Sequence, residues 1–462
     1  MKMLDRYIVR SFLAATALWF VALMSLRVVA DLFVNMDEFA KLGLPFGELG
    51  GYITRYYAYK SLVYFTELGG IIVVFGAMFT LARMNHTNEL TAMLASGVSL
   101  HRVVWPIVLC SMALSGLIIA DREALIPRVA SELVRDRDEV PGSREFTVYL
   151  TPDNHGNARN TLYARRLRVA DGVMEQPIVV VRNVQRRHLA TVRTAPHGRA
   201  RRWRLNGKSG WTLTAAQVER ARGDWRHRPS TQRIHAALTR HQTDRLRRRI
   251  AAGGGRVDVV LHEPQYDDMR ITGTARLVAG AAADEAPRLQ LLQPRFALRI
   301  DGVEVATFTA SAASYVTPEE GPPYWELKRG RAFVPSGLTV DDLVLRRDSR
   351  WMQFLSAGQL AKLARAQSTP GEVAGRGARQ LIHIRVTEPI NNLIMLLVGL
   401  PFILSRERNI KASAVLCLLT VGAFYVFVYL CRYMDLPPVW SAWTPLLVFG
   451  PITAVTLDAV KT

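Results

Sequence analysis

Three charged residues, Arg27, Glu67 and Glu388, sit inside strongly apolar stretches of this chain. An ionised group in such surroundings is costly, and it faces a cavity or an opposite charge. Arg27 can pair with Asp31 one turn on, or reach an interface with its long stem. The two glutamates read as helix-pairing or cavity groups rather than proton carriers. Bond-making chemistry has little to work with. Gly207, Lys208 and Ser209 match the end of a phosphate-binding loop, but Arg202 stands where the leading glycine must be, so the segment reads as a turn. The sequence holds no H-E-x-x-H, no paired C-x-x-C and no G-x-S-x-G, and it offers no catalytic residue, no metal-ligand set and no cofactor site of its own.

The elements that position these charges are apolar runs gathered at the two ends of the 462-residue chain. Residues 11–34, 59–82 and 102–120, and again 381–404, 411–431 and 439–457, each approach the roughly 20 residues that cross a bilayer. Six spanning helices follow, three plus three, because six buried runs would need an implausibly large core in a soluble protein. The first run is long, lacks a small-residue cleavage site and is soon followed by a second, so it is a retained span and not a signal peptide. Lys and Arg in the short loops number nine on the side of both termini: Lys2, Arg6, Arg10, Arg83, Arg102, Arg406, Arg408, Lys411 and Lys461. The other side has four, Lys41, Arg55, Lys60 and Arg432. This bias predicts cytoplasmic termini and an external middle. Cys110, Cys417 and Cys431 all fall within spans, so none can staple the middle.

The polar middle changes character. After "GLIIADREALIPRVASELVRDRDE", which reads as the third helix running on past the membrane, come short β-branched runs such as "REFTVYL", "QPIVVVRNV", "RVDVVLHEP" and "VATFTASAASYV" separated by turn formers. That pattern predicts an all-β sandwich or barrel. Residues 338–367 turn helical and lead back to the fourth span. The predicted division is 1–120, 121–380 and 381–462, with an arginine-rich insert at about 182–250. Of the formal charge of +20, a net +16 lies between Arg182 and Arg249, where 19 Lys and Arg face Glu219, Asp224 and Asp244. In the cytoplasm such a run would suggest nucleic acid; outside, its anionic partners are phosphorylated lipid, a membrane surface or an acidic protein, and no nucleic acid is expected. Within it, residues 226–255 read as a partly disordered, solvated loop.

Between the second and third spans lies "NELTAMLASGVSLHRVVWPI". Thr87 or Asn88 can cap a helix at about 87–97, Glu89 falls in its first turn where the macrodipole favours a carboxylate, and Gly97 can end it. Leu90, Met93, Leu94 and Val98 share one apolar face. So short a helix is not stable alone in water and needs a partner.

"RMNHTNELTAMLASGVSLHRVVWP" resembles the cytoplasmic loop of the lipopolysaccharide export permeases, the LptF/LptG family. The resemblance extends to "RYIVRSF", "IRVTEPINNLIMLLVGLPFILSRER" and "PPVWSAWTP", covers both membrane ends, and leans towards the LptG-like member. It implies six transmembrane helices with an inserted extracytoplasmic jellyroll-like β domain, in the bacterial inner membrane, with the central domain periplasmic. It further implies one half of an ABC transporter: a second permease of the family, a separate ABC ATPase dimer (LptB-like) that binds the ATP and Mg, and periplasmic jellyroll bridge proteins (LptC/LptA-like) that receive lipopolysaccharide or a related anionic glycolipid. The loop helix would be the coupling helix seated in the ATPase, with Glu89, Leu90, Met93, Gly97, Ser99 and Arg102 as the positions carried over. Arg27, Lys41, Arg55, Lys60 and Arg432 are the candidates for meeting lipid headgroups in the cavity.

Two departures stand out. Relatives often carry a proline where this chain has Gly69 and Gly70, and LptG-like members place lysines where it reads "ADLFVNMDEFAK", with only Lys41 basic. A secondary transporter would need spans broken in corresponding places, for which Glu67 and Glu388 are thin support. The alternative of another class is an ATPase-coupled mechanotransmitting protein that moves its external domain without passing lipid.

Overall fold

The computed structural model describes residues 3–134, 145–222, 225–263, 266, 268–278, 287–366, 373–404, 410–434 and 436–459. Lys2, Arg406, Arg408 and Lys461 of the loop charges, and Asp224 of the middle, lie outside them. Two compact units divide the chain, Met1–Asp138 with Asp348–Thr462, and Glu139–Arg347.

The first unit opens with α1 (Met3–Val34), the short α2 (Met36–Ala40), α3 (Phe46–His86), α4 (Glu89–Ala95) and α5 (Leu100–Ala120). A π turn, Asp121–Leu125, carries α5 without a break into α6 (Ile126–Leu133). The third helix does run on, as its sequence suggests. In α1, Leu13, Val21, Leu26 and Val29 are exposed while Ile8 and Phe12 are wholly buried. Apolar residues on both sides are what a helix between lipid and neighbouring spans requires. Small residues set the closest approaches. Gly76 of α3 lies against Thr16 of α1, where an added Cβ would meet the Thr16 backbone at 3.0 Å. Gly69 and Gly70 face Ile118 and Asn392 in the same way, and α3 passes through them unbroken. Two buried hydroxyls are satisfied locally: Thr80 donates to the Gly76 carbonyl at 2.8 Å and Ser111 to that of Ile107 at 2.7 Å.

The second unit is built on an antiparallel sheet, with sixteen strands among the described residues between Glu145 and Pro335. Its core is built around Trp211, Phe296, Phe308 and Trp325, all nearly inaccessible. The Gly-Lys-Ser segment leaves a turn and opens a strand: Asn206 and Gly207, with φ of 50° and 78°, join strands Arg199–Leu205 and Lys208–Leu213. Two successive left-handed residues are what a two-residue hairpin needs. The arginine-rich stretch differs from expectation. Its first part supplies sheet strands, including His188–Thr194, Arg199–Leu205 and Ala216–Arg220. Residues 226–255 are ordered as well. Arg233–Ile234 pairs with Trp325 and Glu326, and α7 (Arg240–Ala252) follows. Thr239 and Gln242 form a reciprocal capping box on α7, while Leu246 and Ile250, four apart, bury its one apolar edge. Composition hides this helix because two side chains carry the whole of its packing. α8 (Val340–Leu345), capped by Thr339 and Asp342, ends the unit.

The membrane unit resumes with a 3-10 turn, Trp351–Phe354, and α9 (Ala357–Ala366). Then come α10 (Val373–Leu404), α11 (Ile410–Tyr433) and α12 (Pro438–Ala459). Among the described residues, six helices are long and apolar enough to cross a membrane, three before the β unit and three after it.

Candidate functional site: a mounted loop helix and a charged cavity

The loop helix α4 is bolted to the membrane unit by its own apolar side chains. Leu90 is 4% exposed and shares a cluster with Ile8 and Phe12 of α1, Leu81 and Met84 of α3, and Val103 and Ile107 of α5. Met93 and Val98 pack on the same cluster, whereas Leu94 is 39% exposed. The predicted stripe is therefore turned mostly inward. The outward surface consists of Thr91, Ala92, Leu94, Ala95 and Ser96, continued by Gly97, Ser99, His101 and Arg102.

Its start is made differently from the sequence expectation, and its end is made as expected. Asn88 adopts a left-handed φ of 57° and caps nothing with its side chain. The Thr87 hydroxyl turns back to donate to the Arg83 carbonyl at 3.0 Å. A side-chain cap normally goes with an extended backbone at this position, and Asn88 is left-handed instead. At the other end Gly97, φ 83°, donates to Leu94 and Val98 donates to Met93, the paired bonds of a Schellman ending. Ser99 precedes α5 in extended geometry, and Arg102 lies exposed in its first turn. Glu89 has a partner within the chain: Tyr7 of α1 donates its hydroxyl to Glu89 Oε2 at 2.7 Å.

A cavity of 650 Å³ opens among α3, α5 to α6, α10 and α11. Its polar side holds Arg122, Arg350, Arg385, Glu388 and Arg432, and its apolar side includes Ile71, Met395, Phe424 and Val428. Arg122 grips Glu388 with both terminal nitrogens, and Arg432 approaches the same carboxylate at 3.9 Å. Arg385 bonds Glu123 at 2.7 Å and the Leu355 carbonyl; Glu123 in turn accepts the Ala357 amide at 2.7 Å. Both helices are irregular where they meet. Arg122 and Glu123 lie in the π turn, and Pro389, next to Glu388, denies the Arg385 carbonyl its helical donor.

Of the lipid candidates, Arg432 lines this cavity and the other four do not. Arg27 lies 3.8 Å from Asp31 and 4.6 Å from the centre of the Tyr64 ring. Lys60 donates to the Leu133 carbonyl at 3.3 Å, and Lys41 and Arg55 are exposed. Glu67 and Glu388 both border the cavity. Sequence reasoning missed Tyr7, Arg122, Glu123 and Arg385. The signals were faint: a charged triplet, Asp121 to Glu123, directly after an apolar run, and a proline one residue past Glu388.

The arrangement is a firmly mounted loop helix and a cavity with guanidinium groups on one side and hydrocarbon on the other, which suits an amphiphile. Comparison with protein families agrees. The profile of the family described as lipopolysaccharide export system permease LptF/LptG matches residues 6–458. The chain belongs to this family. A comparison with curated proteins gives no match. As an LptF/LptG permease, the protein is a multi-pass membrane transporter subunit rather than an enzyme, and the match runs through the β unit as well as both sets of spans.

Proposed function

We propose that this permease is one half of an ABC-type exporter in the inner membrane. Two permease chains enclose a cavity, and a dimer of a separate ATPase, which carries the ATP and Mg, docks on their loop helices. Closure then drives lipopolysaccharide from the membrane towards the periplasmic β unit and a bridge of similar jellyroll proteins. Both termini and α4 are cytoplasmic in this reading.

The observation that carries it is the mounting of α4. A helix of seven residues persists only if something else holds it. Here Leu90, Met93 and Val98 hold it on three spans, so a push on its outer face reaches the membrane without first melting the helix. Glu89, Leu94, Gly97, Ser99 and Arg102 supply the docking face, with Leu90 and Met93 as its anchors. Within the cavity Arg432, the most loosely paired of the cations around Glu388, is the group placed to meet an acidic headgroup.

Full-length permease co-expressed with its export ATPase tests the reading. Glu89→Ala and, separately, Leu94→Asp should cut co-purification of the ATPase, since removing one member of a desolvated charge pair at an interface costs about 2 to 5 kcal/mol. Thr91→Ser should leave it unchanged. Normal ATPase recovery and normal coupled turnover in both disruptive variants would remove α4 as the docking element.

A further inference from the structure

We infer that Tyr7 is a positioning residue for the docking carboxylate, so that the start of α1 belongs to the docking surface although it lies 82 residues from α4. The inference rests on the reading of α4 as the docking helix. Glu89 stands at the first position of α4, directly after the left-handed Asn88, where no side-chain cap restrains it. A glutamate there would ordinarily sample several rotamers. The Tyr7 hydroxyl, 2.7 Å from Oε2, selects one of them.

The donor itself is held in place. Ile8, the next residue, is wholly buried, Phe12 is buried one turn on, and Leu4 packs on the same cluster that holds Leu90. Donor and acceptor therefore ride on one packed base, and their separation does not depend on flexible loops. A phenol donor to a carboxylate is a charge-assisted bond, stronger than a neutral one. It occupies Oε2 alone. Oε1, which carries no hydrogen bond among the described residues, is left for a cationic group of the docked partner. Pre-setting a side chain in its bound rotamer raises affinity by removing the ordering cost from the binding step. The same bond gives α1 a direct tie to α4, beside the two helices that the loop joins covalently.

The test is a double-mutant cycle on the full permease in nanodiscs, titrated with the purified lipopolysaccharide-export ATPase of the same organism. Tyr7→Phe keeps the ring and removes only the donor. It should weaken ATPase binding by about three- to tenfold, the size of the ordering cost of one immobilised side chain. In a Glu89→Ala background the same change should have no further effect. A loss of equal size in both backgrounds would show that Tyr7 acts through something other than Glu89 and overturn the inference. Wild-type affinity for Tyr7→Phe together with weak binding for Glu89→Ala would also overturn it, leaving the docking role of α4 intact. If Glu89→Ala itself binds normally, the underlying docking reading fails instead. Unchanged thermal unfolding of Tyr7→Phe controls for damage to the cluster.

Discussion

Arg122 and Glu388, 266 residues apart, close a two-pronged ion pair across the cavity wall, with Arg122 Nη2 3.3 Å from Glu388 Oε1. Both side chains are less than a fifth exposed. Breaking such a pair from one side strands a buried charge and costs about 3 to 5 kcal/mol, whereas replacing both partners with apolar groups of similar volume is often neutral. Arg122→Ala and Glu388→Ala should each lower the thermal unfolding midpoint of the purified permease sharply. Arg122→Met with Glu388→Leu should recover most of that loss. Equal destabilisation by the double and single variants would mean that the pair contributes through some wider network.

Asp121, the neighbour of Arg122, is 3% exposed and neither of its carboxyl oxygens has a hydrogen-bond partner among the described residues. A buried, unpaired carboxylate is destabilising. Asp121→Asn preserves the shape and removes the charge, so it should leave the unfolding midpoint unchanged or raise it. A marked fall would reveal a requirement for the acid itself, and transport measured on the same variant would show whether that requirement is functional.

In the β unit, Glu304 accepts from Lys208 at 2.6 Å and from Thr307 at 2.9 Å. Burial alone would push its carboxyl up, but these two bonds and the Lys208 and Arg299 charges outweigh it and hold the group below the usual carboxylate range. A depressed folded-state value means that its contribution to stability is complete above the unfolded-state value and is lost as pH falls through the folded one. Glu304→Gln should therefore cost about 1 to 2 kcal/mol at neutral pH, with the deficit shrinking below about pH 4. Tryptophan fluorescence during denaturation at several pH values measures this. A deficit that does not vary with pH would assign the effect to packing.

The loop-charge bias and the proposed orientation place α7 outside the cytoplasm. Ala252, exposed at its end, is a suitable reporter, since the three native cysteines lie in the spans. Ala252→Cys should react with an impermeant maleimide in intact spheroplasts. Labelling only after lysis would reverse the orientation and with it the direction of export.

The spans were legible because hydrocarbon leaves little choice: runs of Leu, Val, Ile and Phe near the required length have one low-energy arrangement. The β class followed from β-branched runs separated by turn formers, and the segment at Gly207 read as a turn because it failed the phosphate-loop pattern. Gly97 also marked the end of α4. What local pattern cannot carry is direction and distance. The stripe of Leu90 and Met93 was visible, but whether it faced inward or outward depended on Ile8, Phe12 and Val103, which are remote in sequence. The partners Arg122 and Glu388, or Tyr7 and Glu89, meet only after the helices assemble, so Glu388 and Glu89 stood out in the sequence while Arg122 and Tyr7, which hold them, did not. α7 was hidden for the opposite reason, since eleven of its thirteen residues say nothing about burial.

The contact of Gly76 with Thr16 has a kinematic meaning. With the two backbones so close, a slide of about one turn, roughly 5.4 Å along the helix axis, would bring Val73 or Thr80, which share the face of Gly76, into the notch. The side chains there cannot be accommodated without prying α1 and α3 apart. The first two spans are thus indexed against each other like a pin in a slot: they can tilt about Gly76, but they cannot slide. A displacement applied at one end of this pair therefore reaches the other end as rotation about a near-fixed point, with its amplitude set by the lever length on either side of that glycine.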